Sequence, residues 1–279
     1  MGDYNNTVNN DKYTINFKGE VNFSVDIAKE IFDKIKDRES DVNKLKGIGI
    51  FILQEENKND IDITGFFDSS KRVPNVERYI LKKRKCGCYY EIDEGIKRKK
   101  DFVESDYCDS KPSNDKTSKS IVIILESPHQ YEYNEDFEPI APAQGATGKG
   151  IEFYIEFIIY HLIKRENIIL DDDEYNVIIC NPVQYQSSLY HLHNNSIEGK
   201  YKTLRNRVWK KLFDDETKKD FINRVKSYNP KLIINACTYE LKNYVQKELD
   251  KEFSQSSDVE MIKSYHPSSW GCLGIEVKK

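Results

Sequence analysis

Three short stretches of this 279-residue chain carry side chains that could do chemistry together. Glu126-Ser127-Pro128-His129 offers a carboxylate, Asn181-Pro182-Val183-Gln184 a carboxamide, and His266-Pro267-Ser268-Ser269-Trp270 an imidazole. A carboxylate can orient or deprotonate water and stabilise a developing cation. A carboxamide can donate and accept at once, and an imidazole can hydrogen-bond a developing anion. Proline follows each of the three within two positions and cannot continue a central strand, so each is expected where a strand gives way to a turn. Singly, each has a plainer reading: a turn residue, a backbone cap, a structural histidine. Together, at three strand ends of one sheet, they point to a site.

The elements that must position them are legible as apolar texture. Ile121–Leu125 is a continuous apolar run, as expected of a strand buried on both faces. Val177–Cys180, Leu232–Ala236 and Val259–Ile262 are shorter runs of the same kind, and the third ends near Asn235-Ala236-Cys237-Thr238. Helical spacing lies between them: a face of Ile151, Tyr154, Ile155, Ile158, Ile159 and Leu162, then Arg205–Phe213, Lys219–Tyr228 and Tyr239–Leu249. Strands alternating with helices predict an α/β fold: three layers, α/β/α, around a central, mainly parallel four-stranded sheet. In such sheets function sits beyond the carboxyl ends of the strands. Gly145-Ala146-Thr147-Gly148-Lys149-Gly150, ahead of a helix starting near Ile151, reads either as a flexible loop or as a place where backbone meets a phosphate. Its spacing is neither that of a P-loop nor that of a dinucleotide fingerprint.

Ahead of this region lies an α+β extension. Its first dozen residues are rich in Asn and Asp and are expected to fray. A helix is predicted over Asp26–Lys36, and β-like runs over Gly47–Leu53 and Ile61–Phe67, joined as a hairpin. Two basic clusters, Lys82–Lys85 and Lys97–Lys100, flank Tyr89 and Tyr90 and read as a solvated surface or a nucleic-acid face. The polar Cys108–Lys119 stretch is the expected boundary, separating an extension over 1–110 from an α/β domain over 119–279.

Composition excludes several classes. With 38% hydrophobic, 32% charged and 12% aromatic residues, the chain is polar but too aromatic to be disordered. No apolar run approaches the roughly 18–20 residues of a membrane span, and the polar Met1–Lys12 predicts no secretory leader. A formal charge of −4 excludes a generally basic nucleic-acid coat while leaving room for a local basic face. Six scattered cysteines are expected to be reduced thiols in a cytoplasm. Cys86-Gly87-Cys88 with Cys108 fits no standard zinc spacing, so neither metal nor cofactor is expected.

The ordered set of strand ends resembles the uracil-DNA glycosylase superfamily. That family's first motif is G-Q-D-P-Y-H in one branch and G-E-x-P-G in another, and Leu125-Glu126-Ser127-Pro128-His129 is similar to the second. Asn181-Pro182-Val183 matches the family's N-x-V, Pro230–Thr238 is similar to its P-K-x-I-x-x-G strand and turn with Ala236 at the glycine, and His266-Pro267-Ser268 matches H-P-S. The resemblance covers roughly residues 119–272. It implies a monofunctional DNA glycosylase that flips a pyrimidine nucleotide out of the stack and hydrolyses its N-glycosidic bond to leave an abasic site. Glu126, Asn181 and His266 would be catalytic: Glu126 on water and the cationic sugar, Asn181 on the base edge, His266 on the departing base. Ser127, Pro128, His129, Gln184 and Tyr131 would line the base pocket, with Tyr131, Tyr133 and Phe137 the candidates to stack on the base. Gly148, Lys149, Gly150, Ser268 and Ser269 would meet the DNA strand, with Trp270 as a wedge in the stack or as buried core.

Ser127 stands where one branch has Asp, so water activation falls to Glu126 or to another acid such as Glu132, Glu135 or Asp136. His129 stands where a tyrosine screens out 5-substituted pyrimidines, which points to a bulkier base. The superfamily includes a phage-restricting member that removes glucosylated hydroxymethylcytosine, and this chain could serve antiviral defence in the same way. Two other classes stay open. One is a nucleic-acid-binding module of the same fold without turnover. The other is a metal hydrolase using His191 and His193, whose spacing puts both imidazoles on one face of a strand.

Overall fold

The computed structural model describes residues 12–37, 42–54, 59–84, 90–93, 118–194 and 200–273. The first eleven residues, Cys86-Gly87-Cys88, Cys108, Tyr89, the cluster Lys97–Lys100 and all but the last two residues of the Cys108–Lys119 stretch lie outside the described residues. The chain divides into two units. One comprises residues 1–71 with 188–208, the other residues 72–187 with 209–279. The division thus falls ahead of the polar stretch at 108–119, and a later segment joins the N-terminal unit.

In the first unit, alternation builds the sheet. β1 (Tyr13–Lys18) turns its Ile15 and Phe17 inward between polar neighbours, and β2 (Phe23–Ile27) does the same with Val25 and Ile27. β3 (Phe51–Gln54) and β4 (Asp60–Thr64) complete the order β2-β1-β4-β3. β3 and β4 pair antiparallel, as the hairpin expectation has it, and β1 runs parallel to β4. The helix expected over Asp26–Lys36 is α1 (Lys29–Asp37), with Ile31, Phe32 and Ile35 buried, because Asp26 and Ile27 belong to β2. The apolar run at Gly47 starts later than expected: Val42–Gly47 forms α2, and the strand begins at Phe51. Phe17, Phe23, Phe66 and Phe67 form an aromatic cluster with ring centroids 4.7–6.2 Å apart. α4 (Tyr190–His193) belongs to this unit.

The second unit holds a six-stranded mixed sheet in the order β10-β9-β7-β8-β5-β6. Its four apolar runs are the parallel strands β7 (Ser120–Ile124), β8 (Glu174–Cys180), β9 (Pro230–Asn235) and β10 (Glu260–Lys263). All five residues of β7 are buried, which is why its sequence is apolar without alternation. β5 (Val76–Lys83) and β6 (Tyr90–Ile92) extend the sheet antiparallel beyond β8. The four-stranded expectation is therefore short by two. β5 hides behind its basic cluster because Arg78, Tyr79 and Leu81 point inward while Lys82 and Lys83 stay at the surface.

Helix α3 (Ala146–Arg165) connects β7 to β8, and α7 (Tyr239–Phe253) connects β9 to β10. α5 (Lys200–Leu212) and α6 (Asp215–Ser227) lie between β8 and β9. α6 starts four residues before the expected Lys219 because Asp214 caps it, its carboxylate accepting the Thr217 N–H at 2.8 Å. The short helix α8 (Trp270–Leu273) closes the described chain. Because β8 and β9 lie on opposite sides of β7, the chain direction switches between β7 and β9. A crevice at the carboxyl ends is expected there. Among the described residues no helix is long and apolar enough to cross a membrane.

α3 begins at Ala146, five residues earlier than the apolar face suggests, so Gly148 and Gly150 lie inside a helix and not in a loop before it. Packing explains the glycines, which cost about 1 kcal/mol each in a helix. A Cβ at Gly148 would sit 1.9 Å from the Ala143 carbonyl oxygen, and one at Gly150 would sit 2.2 Å from that of Pro267. The obstacle is backbone in both cases. Gly148→Ala is expected to lower stability by about 2–3 kcal/mol, measured by urea unfolding, whereas Lys149→Ala, at an exposed site, is expected to change it by less than about 0.5 kcal/mol. Equal midpoints for the two variants would refute the close-packing account.

Candidate functional site

Register brings the three sequence stretches to one edge of the larger sheet. Cys180 pairs with Ile124, Ile124 with Asn235, and Asn235 with Lys263, so one row crosses β8, β7, β9 and β10. Asn181 lies one residue beyond that row, Glu126 two beyond and His266 three beyond. Adjacent strands are about 4.8 Å apart, so Glu126 and Asn181 start from neighbouring strands, while His266 starts two strands from Glu126.

Glu126 is buried at the switch between β7 and β9. Its Oε2 accepts the Thr238 N–H at 2.8 Å, just ahead of α7, while the Thr238 side chain itself makes no capping bond. Its backbone carbonyl accepts the indole N–H of Trp209 at 2.8 Å. The carboxyl is thus held from both its side chain and its main chain.

Asn181 is 1% exposed, and its main chain is fully engaged. Its N–H donates to Asn75 Oδ1 at 3.3 Å, and its carbonyl accepts from Arg224 Nη1 at 3.1 Å. Arg224 Nη2 holds the Pro182 carbonyl at 3.1 Å, and Arg224 Nε is anchored on Asp220 at 2.8 Å. The carboxamide is different. Neither its Oδ1 nor its Nδ2 has a hydrogen-bond partner among the described residues. A buried, unsatisfied donor and acceptor on one rigidly held side chain costs stability, and such groups call for a partner from outside the chain.

His266 is half-buried, and its Nδ1 faces Ser268, which offers both its N–H (3.4 Å) and its hydroxyl (2.9 Å). A backbone N–H can only donate, so Nδ1 accepts, and the proton of the neutral imidazole sits on Nε2. Ser268 therefore orients the imidazole while remaining exposed itself. Trp270, 3% exposed, is core: its indole N–H is shared by Ser264 Oγ and the Tyr265 carbonyl, both at 2.8 Å. The wedge alternative does not describe it, because a buried, bonded indole cannot enter a base stack.

The remaining predicted residues divide. Ser127 Oγ lies 2.6 Å from Ser187 Oγ, beside buried Pro128. His129 and Tyr131 are exposed with rings 5.2 Å apart, and Tyr131 lies over Gly145. Gln184 is spent on structure, donating to the Val73 carbonyl at 2.9 Å and accepting from Arg72 at 2.8 Å. Tyr133 and Phe137 stack on each other at 4.6 Å and are buried. Lys149 is exposed on the first turn of α3, and Ser269 gives its N–H to the His266 carbonyl at 2.8 Å. Two members of the first basic cluster are paired with the β6 segment, Lys82 with Asp93 at 2.7 Å and Arg84 with Glu91.

The other acids differ from Glu126. Glu135 and Asp136 are exposed on a surface turn. Glu132 is buried with Oε1 accepting the Ala143 N–H at 2.7 Å, and Oε2 has no hydrogen bond among the described residues. Burial pushes its carboxyl up to about 8, so at neutral pH it is mainly protonated and cannot serve as a base. Cys180 and Cys237 are buried free thiols; burial raises Cys180 to about 11 and Cys237 well above the usual thiol range, so neither is poised as a nucleophile. His191 and His193 sit on a short helix, not a strand, so their spacing does not put them on one face; His193 is buried against the Ser188 carbonyl at 2.9 Å. Among the described residues no group of three His, Cys, Asp or Glu side chains is arranged to hold a metal.

Sequence reading missed Asn75, Arg224 and Ser187, which support Asn181 and Ser127. Their partners are 106, 43 and 60 residues away in the chain, and no local pattern marks them. No protein-family model, no curated protein and no solved structure matches the chain.

Proposed function

We propose that this chain is a monofunctional DNA glycosylase that takes a uracil or a 5-substituted cytosine out of the stack and hydrolyses its N-glycosidic bond. The single observation that supports this most is the Asn181 carboxamide, buried, rigidly held and with no partner for either of its polar atoms among the described residues. A pyrimidine edge offers an acceptor and a donor side by side, which is what one carboxamide can satisfy. With the base so held, cleavage builds positive charge on the sugar and negative charge on the base. The Nε2 proton of His266 is suited to hydrogen-bond the base oxygen as it gains charge. Glu126 is suited to orient the attacking water and stabilise the cationic sugar. Water adds its oxygen to C1′, the C1′–N bond breaks with its electrons going to the base, and the products are the free base and an abasic site. The reading is hydrolytic because hydrolysis needs only water, an acid and His266, whereas a lyase would need an activated amine, and Lys242 beside the His266 strand donates to the Ser264 carbonyl. The reading carries with it the three-layer α/β/α arrangement for the larger unit.

A base-release assay tests it. Duplex and single-stranded DNA containing uracil, 5-hydroxymethylcytosine, its glucosylated form or cytosine would be incubated with the protein, and abasic sites revealed by alkali. The expected result is release of one base, reduced at least about 100-fold by His266→Ala. Binding without release from every substrate would refute turnover and leave a binding module of the same fold.

A further inference from the structure

The long helix α3 carries a stripe of large side chains on its outer face for which the proposed chemistry has no use. Phe153 is 77% exposed, Phe157 58% and Tyr160 43%. They follow one another at spacings of four and three, so they share one side of the helix. Continuing the same line outward, Lys149 lies four residues before Phe153, and Lys164 four residues after Tyr160; both are exposed. The line from Lys149 to Lys164 is about 22 Å long. Two acids flank it: Glu156 accepts the Ile92 N–H from β6 at 2.9 Å, and Glu152, three residues after Lys149, is half-buried. The stripe begins beside the candidate site, because Gly150, next to Lys149, packs against the Pro267 carbonyl of the His266 turn.

Aromatic faces bracketed by ammonium groups suit a polymer of flat rings joined by anions. A second copy of the chain suits them less, since an antiparallel pairing of two such helices would set Lys149 against Lys164. We propose that the outer face of α3 is a track for a single nucleic-acid strand, with bases stacked on Phe153, Phe157 and Tyr160 and phosphates held by Lys149 and Lys164. Sequence-tolerant strand binding of this kind combines stacking with cationic contacts. The track rests on the glycosylase reading for one point, that the strand is DNA leading into the site.

The test is fluorescence anisotropy with a labelled oligothymidylate of about twelve nucleotides and an abasic strand of equal length. The native chain is expected to bind the oligothymidylate at least about tenfold more tightly than the abasic strand. Phe153→Ser with Phe157→Ser is expected to erase that preference while leaving abasic binding unchanged, and Phe153→Trp with Phe157→Trp to retain it. Lys149→Ser with Lys164→Ser is expected to weaken both strands and flatten the salt dependence. Equal binding of the two strands by the native chain, or a serine variant that binds like native, overturns the proposal. So does a native dimer in sedimentation that the serine variant dissociates, which would make the stripe a self-association surface. Base release keeps the two readings apart. Stripe-dependent binding with no base released sinks the glycosylase and leaves the track, whereas base release with no stripe dependence sinks the track alone.

Discussion

Asn181→Leu is expected to lose base release by at least about 100-fold while melting no lower than the native chain. Such a pairing of effects is unusual, because a buried polar residue that is bonded within its own protein destabilises it when removed. Here the main-chain groups of Asn181 are held by Asn75 and Arg224, while the carboxamide has no partner among the described residues. An apolar side chain of similar size relieves an unsatisfied donor and acceptor, each of which costs about 1–3 kcal/mol when buried. The predicted change in stability is therefore zero or positive, and stability gained at the expense of activity is the signature of a group kept for a ligand. Arg224→Met is the contrasting control. It removes bonds to Asp220, Asn181 and Pro182 and is expected to lower the melting temperature. Thermal unfolding and base release on the same preparations decide the matter. A clear loss of stability in Asn181→Leu, or retained release, would remove the main support for the site.

Glu132→Gln is expected to flatten the pH dependence of folding stability between about pH 5 and pH 8. The Glu132 carboxyl titrates near 4.5 when unfolded but is pushed up to about 8 in the folded protein, chiefly by burial. Between those values the native state keeps a proton that the unfolded state has released. Stability contributed by this group is thus fully present below pH 4.5 and is lost as pH rises toward 8. At 1.36 kcal/mol per pH unit, the group alone removes about 5 kcal/mol by pH 8. The amide oxygen of Gln can still accept the Ala143 N–H, so the loop from 129 to 144 keeps its tie without the titration. Denaturant unfolding at pH 5, 6.5 and 8 is expected to show the variant gaining on the native chain with each step, reaching about 2–4 kcal/mol at pH 8. Parallel profiles for the two proteins would show that Glu132 does not stay protonated in the fold.

What the chain declares by itself is the part of the architecture written in uninterrupted apolar runs. A strand buried on both faces must be apolar throughout, so Ile121–Leu125 announces β7, and three similar runs announce its parallel neighbours. Proline ends those strands by local covalent geometry, which is why Glu126, Asn181 and His266 are recognisable at strand ends. The β5–β6 hairpin is not legible in this way. The end of β5 carries Lys82 and Lys83, and its inward Arg78 is a buried charge made tolerable by the Pro142 and Ala143 carbonyls, which come from a distant segment. The glycines of α3 look like a loop in the sequence because nothing local reveals that the carbonyls of Ala143 and Pro267 press against the helix.

The same limit governs the site. Residue type marks Glu126, Asn181, His266, Gln184, Ser268 and Trp270 equally as candidates. Only the tertiary structure separates the Gln184 carboxamide, which is spent on Arg72 and Val73, from the Asn181 carboxamide, which has no partner among the described residues. Trp270 becomes core and Ser268 an orienter of His266 for the same reason. Secondary structure follows from side-chain patterns a few residues long, and the chain carries those patterns openly. The state of a polar side chain depends on which donors and acceptors arrive from segments tens to more than a hundred residues away, and folding alone decides that.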